Sequence, residues 1–120
     1  MCLRVVIVDD HARFRAQAAE LLVLERFAVV GDADTGAGGV ELSRRLAPDL
    51  VLLDVGLPDA NGFDLVTAMH DTGAAVVLTS SRSVRDYGHR LQDSGAEGFI
   101  SKADLSGDAL RSLLIRTAPC

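Results

Sequence analysis

The chain has 120 residues, the length of one domain, and its 48% hydrophobic and 24% charged residues are typical of a globular protein with a buried core. Its net charge is -5, and its largest basic cluster is the pair Arg44 and Arg45. This charge distribution argues against a direct nucleic-acid surface or an anionic-membrane surface.

Short apolar runs alternate with segments of helical periodicity along the chain. We predict strands at 4–8, 28–32, 50–53, 75–79 and 98–101. We predict helices at 12–25, 37–46, 62–70, 83–94 and 105–116. Five βα units of this size favour a parallel sheet with right-handed crossovers and helices on both faces. Gly88 lies inside the fourth predicted helix and should weaken it.

The predicted location is the cytoplasm, with no membrane partner. No apolar run approaches membrane-spanning length, and the first residues lead into a strand-like run without the features of a secretory leader. Cys2 and Cys120 lie at the two ends of the chain, a spacing that favours two unpaired thiols over a disulfide framework.

Lys102 is the only lysine in a chain whose other basic side chains are all Arg. A lysine ammonium is a compact point charge on a flexible stem, so it can meet a single anionic oxygen in a narrow site. Taken alone, Lys102 could equally be an ordinary surface residue. The carboxylates that follow other apolar runs favour a buried anion as its partner.

Polar residues follow four of the predicted strands. They are Asp9 and Asp10 after the first strand, Asp54 after the third, Thr79 to Ser81 at the end of the fourth, and Lys102 after the fifth. Any one of them could be a helix cap or a turn residue. Because the carboxyl ends of parallel strands form the functional edge of such a sheet, we predict that they share one site.

Carboxylates gathered at one edge would need a cation. Two of them about 4 Å apart repel by about 4 kcal/mol at an effective dielectric near 20. All-oxygen ligands favour Mg²⁺, with Mn²⁺ also possible, over Zn²⁺. The three histidines, His11, His70 and His89, form no metal-ligand spacing. Beside such a metal, one carboxylate could attack phosphorus and form an acyl phosphate.

With these features the sequence resembles the receiver domain of bacterial two-component response regulators over essentially its whole length. The resemblance rests on the acidic pair, the segment DVGLPDANG at 54–62, the hydroxyl at the end of the fourth strand, and Lys102. It implies an α/β, flavodoxin-like (βα)5 fold with a doubly wound five-stranded parallel sheet in the order 2-1-3-4-5. It also implies one receiver domain over 1–120, with no output domain in this chain. Ala103 after the lysine, where the family often has Pro, is more like receivers of helix-turn-helix regulators and stand-alone actinobacterial receivers.

The resemblance implies a role for each matching residue. Asp54 would be the phosphoacceptor. The implied metal ligands are Asp10 directly, Asp9 largely through water, Asp54, and Gly56 through its backbone carbonyl. Lys102 and the Ser80 hydroxyl would hold phosphoryl oxygens, and Ser80 and Phe99 would form the switch.

The implied phosphoryl donor is a sensor histidine kinase or a phosphotransfer protein. The implied output is a downstream protein that binds the face formed by helix 4, strand 5 and helix 5. We expect no direct nucleic-acid partner. We also expect no enzymatic activity beyond self-phosphorylation and self-dephosphorylation.

Other readings remain open at this point. One is a receiver-like docking module that works without phosphorylation. Another is a Mg²⁺ phosphatase of the haloacid-dehalogenase kind, which also uses a strand-end Asp nucleophile, but Gly56 stands where that class has a second acid. A dinucleotide-binding role for the glycines at 36–39 is not favoured, because Glu41 replaces the last glycine of the motif.

Overall fold

The structure, a computed structural model, describes residues 2–114. Five parallel strands form one sheet in the order β2-β1-β3-β4-β5. The strands are β1 (Arg4–Val8), β2 (Ala28–Ala33), β3 (Leu50–Asp54), β4 (Ala75–Ser80) and β5 (Gly98–Ser101). All five residues of β3 are buried, as a central strand covered on both faces requires. The predicted fold class and strand order are confirmed.

Helices cover both faces of the sheet. They are α1 (Ala12–Leu24), α2 (Gly36–Leu46), α3 (Gly62–His70), α4 (Arg90–Ser94) and α5 (Gly107–Leu113). Leu22 of α1 and Leu110 of α5 belong to the core on one face. Val40 of α2 and Val66 of α3 belong to the core on the other. The two cores hold a rigid sheet whose carboxyl edge carries the predicted site.

The fourth predicted helix differs from the structure. Instead of one helix over 83–94, a 3-10 turn at Val84–Tyr87 is followed by the short helix α4. Gly88 lies between them with a φ of 58° and a ψ of -128°, a conformation that no helix contains. The prediction of a continuous helix was therefore wrong, because Gly88 interrupts the segment rather than only weakening it.

The last helix also begins later than predicted. A 3-10 turn at Lys102–Asp104 precedes it, and the Ser106 hydroxyl then accepts a hydrogen bond from the Ala109 N–H as the cap of α5. The predicted start at 105 was therefore two residues early. The predicted end at 116 lies outside the described residues.

The state of Cys2 differs from the prediction. Cys2 is disulfide-bonded, so the prediction of an unpaired thiol at this position was wrong, because spacing along the sequence does not report spacing in the fold. Cys120 lies outside the described residues. Between residues 2 and 114, no helix has both the length and the apolar character needed to cross a bilayer.

Candidate functional site

Asp9, Asp54 and Lys102 meet at the carboxyl edge of the sheet. The Lys102 ammonium lies 2.7 Å from Oδ2 of Asp9 and 3.8 Å from Oδ1 of Asp54. The Asp9 and Asp54 side chains are only 1% and 5% exposed. Two carboxylates that are almost removed from water therefore share one lysine.

The register of the strands explains this convergence. Asp54 of β3 pairs with Thr79 of β4, and Ser80 pairs with Ser101 of β5. Lys102 is the next residue along the chain. Because parallel strands end at the same edge, three residues that are distant in sequence face one cleft.

The ionised form of the Asp54 carboxyl is disfavoured by its buried surroundings. Burial raises the pKa of the Asp54 carboxyl above its ordinary value, and the nearby negative charge of Asp9 raises it further. The positive charge of Lys102 and a hydrogen bond from the Gly56 backbone lower this pKa, but they do not offset the increase. The single positive charge of Lys102 therefore does not fully compensate the negative charges of the buried Asp9 and Asp54 carboxylates.

The donor atoms around Asp54 suit a divalent cation. Carboxylate oxygens of Asp9, Asp10 and Asp54 lie within 4.8 Å of one another, together with a ring nitrogen of His11. Three carboxylates, one of them partly exposed to water, match a hard metal that retains some water ligands. The residues present thus fit the Mg²⁺ or Mn²⁺ that the sequence predicts, with Asp9, Asp10, Asp54 and the Gly56 carbonyl as its candidate ligands.

The last residue of β4 is Ser80, one residue beyond the predicted end of this strand. Ser80 is buried, and its Oγ accepts a hydrogen bond from the backbone N–H of Arg82 at 3.0 Å. Together with Asp54 and Lys102, Ser80 and Arg82 line a cleft beside the carboxylate. Thr79 is 1% exposed and does not line this cleft.

Tyr87 is a residue of the site that sequence reasoning missed. Its hydroxyl and the Ser80 hydroxyl form a hydrogen bond of 2.5 Å, and it lines the same cleft. Its ring centroid lies 5.2 Å from that of Phe63 and 5.7 Å from that of Phe99. Phe99, the predicted switch aromatic, therefore contacts Tyr87, which in turn bonds Ser80. The available sequence signal was that Tyr87 is the only tyrosine in the chain.

Asp59, in the loop after β3, was also missed as a contributor to the site. Its carboxylate accepts hydrogen bonds from the backbone N–H groups of Gly36 at 2.8 Å and Ala37 at 3.0 Å. These bonds, from Ala37 first and then Gly36, lower the pKa of Asp59 below its ordinary value. The loop that carries Gly56 is thereby joined to the start of α2.

Comparison with known proteins identifies the family. The model of the response regulator receiver domain matches residues 5–114. The chain belongs to the response regulator receiver family. It is thus a receiver domain of two-component systems, and the predicted family is confirmed.

Several curated relatives are transcriptional regulators. The transcriptional regulatory protein PdtaR of Mycobacterium tuberculosis is 36% identical over 100 residues, which cover 82% of this chain and 49% of that protein. The transcriptional regulatory protein DegU of Brevibacillus brevis is 33% identical over 113 residues, covering 90% of this chain and 47% of that protein. The receiver chain thus spans about half the length of these relatives.

Solved structures agree with the family. The signal receiver domain of NarL from Mycobacterium tuberculosis has a TM-score of 0.83 and 30% identity, covering 96% of this chain and 98% of that one. The response regulator domain of Thermotoga maritima CheB has a TM-score of 0.81 at 22% identity and covers 94% of each chain, a likeness in fold.

Proposed function

We propose that this receiver accepts a phosphoryl group on Asp54 from a sensor histidine kinase or a phosphotransfer protein in the cytoplasm. The observation that carries the proposal is the position of Asp54: a buried carboxylate at the mouth of a cleft, with Lys102 at 3.8 Å and the Ser80 hydroxyl on the cleft wall. Asp9, Asp10, Asp54 and the Gly56 carbonyl would hold Mg²⁺ or Mn²⁺. When bound, this cation would neutralise the carboxylates and the incoming phosphoryl group.

The chain's residues supply the rest of the chemistry. An Asp54 carboxylate oxygen attacks phosphorus, the bond from phosphorus to the donor's imidazole nitrogen breaks, and the leaving nitrogen keeps the electron pair. Lys102, which lies 3.8 Å from Asp54, would pair with one phosphoryl oxygen. The Ser80 hydroxyl donates a hydrogen bond to another. The phosphoryl group then stays on Asp54 as an acyl phosphate, and Gly56 offers no second acid to speed its hydrolysis, so we propose a phosphoacceptor and not a phosphatase.

The output follows from the bond between Ser80 and Tyr87. A phosphoryl oxygen on Asp54 competes for the Ser80 hydroxyl, so Tyr87 loses its partner. Because Tyr87 contacts Phe99 of β5, its movement changes the packing on the face formed by α4, β5 and α5. We propose that a downstream protein binds this face. In this proposal the domain passes its signal to a protein and does not bind nucleic acid directly.

Phosphorylation can be tested directly. The purified protein is incubated with a small acyl phosphate and Mg²⁺, and the mass of one added phosphoryl group is sought by mass spectrometry. We expect the addition in wild type and not in Asp54→Asn, and slower addition in Asp10→Asn. Asp71→Asn, at an exposed carboxylate beyond the C-terminal end of α3, is the matched control and should behave as wild type. Normal addition to Asp54→Asn would refute the assignment of the nucleophile, and no addition to wild type would favour a docking module.

A further inference from the structure

His11 lies against the acidic pair. Its Nδ1 is 3.0 Å from Oδ1 of Asp9 and 3.2 Å from Oδ1 of Asp10. Its backbone N–H donates a hydrogen bond of 2.8 Å to the same Asp9 oxygen, which fixes the start of the His11 side chain beside the carboxylates. The sequence spacing gave no metal-ligand pattern for this histidine, because its partner ligands come from its immediate neighbours and from another strand.

His11 Nδ1 hydrogen-bonds Asp9, but no single tautomer gives it favourable hydrogen bonds to all of its polar neighbours. This atom also lies 3.3 Å from the Lys102 ammonium, a donor. If Nδ1 carries a proton, it can donate to one carboxylate but opposes the ammonium hydrogens. If it carries a lone pair, it can accept from Lys102 but faces two carboxylate oxygens. A cation between the nitrogen lone pair and the two oxygens satisfies all three atoms.

The distances suit such a cation. Ligands about 2.1 Å from an octahedral metal lie about 3.0 Å apart when they occupy adjacent positions. The separations of His11 Nδ1 from the Asp9 and Asp10 oxygens, 3.0 and 3.2 Å, match this spacing. The two carboxylate oxygens of Asp9 have different neighbours: Oδ2 lies beside Lys102 and Oδ1 lies beside His11. The His11 side chain is 64% exposed, so a hydrated ion can reach it.

We propose that His11 Nδ1 is a further ligand of the metal site. This inference rests on the metal binding in the proposed function and adds one nitrogen to a set of oxygens. Imidazole suits later transition metals, whereas carboxylate and water suit Mg²⁺ and Mn²⁺. Mn²⁺ accepts both oxygen and imidazole nitrogen ligands. His11 therefore shifts the metal preference of the site from Mg²⁺ toward Mn²⁺ and the later divalent transition metals, such as Fe²⁺ and Co²⁺.

The test measures metal binding without any phosphoryl donor. Mn²⁺ and Mg²⁺ affinities are determined by titration calorimetry for wild type, His11→Ala and His89→Ala. His89 is exposed and absent from the metal cluster, so its variant is the matched control. Loss of a ligand should cost at least as much as loss of a supporting residue, so we expect Mn²⁺ affinity to fall by about tenfold or more in His11→Ala. Mg²⁺ affinity should change little, and His89→Ala should match wild type.

Pulsed EPR of the Mn²⁺-loaded proteins, with and without isotope-labelled histidine, gives the direct readout. A nitrogen coupling is expected in wild type and in His89→Ala but not in His11→Ala. Tight Mn²⁺ binding without that coupling in wild type would overturn the role of His11 and leave the proposed function standing. Failure of wild type to bind either metal would overturn both.

Discussion

The Tyr87 hydroxyl lies 2.5 Å from the Ser80 hydroxyl, so the residue at the end of β4 is joined to the turn before α4. Tyr87 is in turn the shared neighbour of Phe63 and Phe99. A change at Asp54 can therefore reach the surface through the Ser80 to Tyr87 hydrogen bond and then through the packing of the aromatic rings.

The Ser80 to Tyr87 bond can be followed optically, because the chain has one tyrosine and no tryptophan. We expect beryllofluoride, a phosphate mimic, with Mg²⁺ to change the tyrosine emission of wild type as the bond is lost. Ser80→Ala removes the bond in advance, so its emission should differ before addition and change much less afterwards. Ser112→Ala, at an exposed serine of α5, is the control. Equal changes in wild type and Ser80→Ala would exclude this route.

Replacing Asp54 should stabilise the fold at neutral pH. A carboxyl whose pKa is raised in the folded state releases its proton less readily there than in the unfolded chain. Ionisation therefore costs stability as pH rises from the ordinary Asp pKa of about 3.9 through the raised folded value. Asp54→Asn removes that cost, so its melting temperature should exceed that of wild type at pH 7, and the gain should shrink as pH falls to about 4.

Asp59→Asn should have the opposite effect. The pKa of Asp59 is lowered in the folded state, so its ionised form stabilises the fold above the ordinary pKa, and this is lost only as pH falls through the lower folded value. The melting temperature of Asp59→Asn should be lower than that of wild type at pH 7. Most of this difference should remain at pH 4. Melting curves of both variants across this range check both signs, and shifts of the same sign would contradict the charge analysis.

Two glycines near Asp54 should respond differently to a methyl group. A Cβ on Gly62 would overlap the Asp54 carbonyl oxygen and the Val55 backbone, whereas a Cβ on Gly56 would meet nothing within 4 Å. We expect Gly62→Ala to lower the free energy of unfolding by roughly 1–3 kcal/mol. Gly56→Ala should change it by less than about 0.5 kcal/mol. Urea denaturation measures both, and similar losses would show that close packing at Gly62 is unimportant.

The phosphorylated form should be long-lived. Gly56, two residues after Asp54, has no side chain. Arg82, two residues after Ser80, has a positively charged one. Neither residue therefore offers a carboxylate or an amide that could orient a water molecule for hydrolysis. Arg82 lines the cleft, where it can cover phosphoryl oxygens. We expect faster loss of phosphate, followed by mass spectrometry, in Arg82→Ala and in Gly56→Asn than in wild type. Unchanged decay in both variants would remove these residues from the account.

The sequence was most informative where chemistry follows from strand register. Asp9, Asp54 and Lys102 could be gathered from sequence because each ends a buried apolar run, and parallel strands share an edge. The contact of Tyr87 with Ser80 could not be predicted in this way. It depends on the interruption of the helix at Gly88, whose backbone conformation the sequence pattern does not specify. His11 could not be predicted either, since a ligand set built from neighbouring residues and a distant strand has no fixed spacing.

The two hydrogen bonds that Asp59 accepts from the start of α2 hold one wall of the cleft in place. The loop after β3 is further tied by a bond from the Gly62 N–H to the Val55 carbonyl at 2.8 Å and by a bridge between Gly56 and Asn61. That wall of the cleft is braced on both sides, whereas the opposite wall ends in the interrupted segment around Gly88. Under the proposed function, a phosphoryl group on Asp54 would therefore meet more resistance on the α2 side, and we expect the structural change on the side of α4.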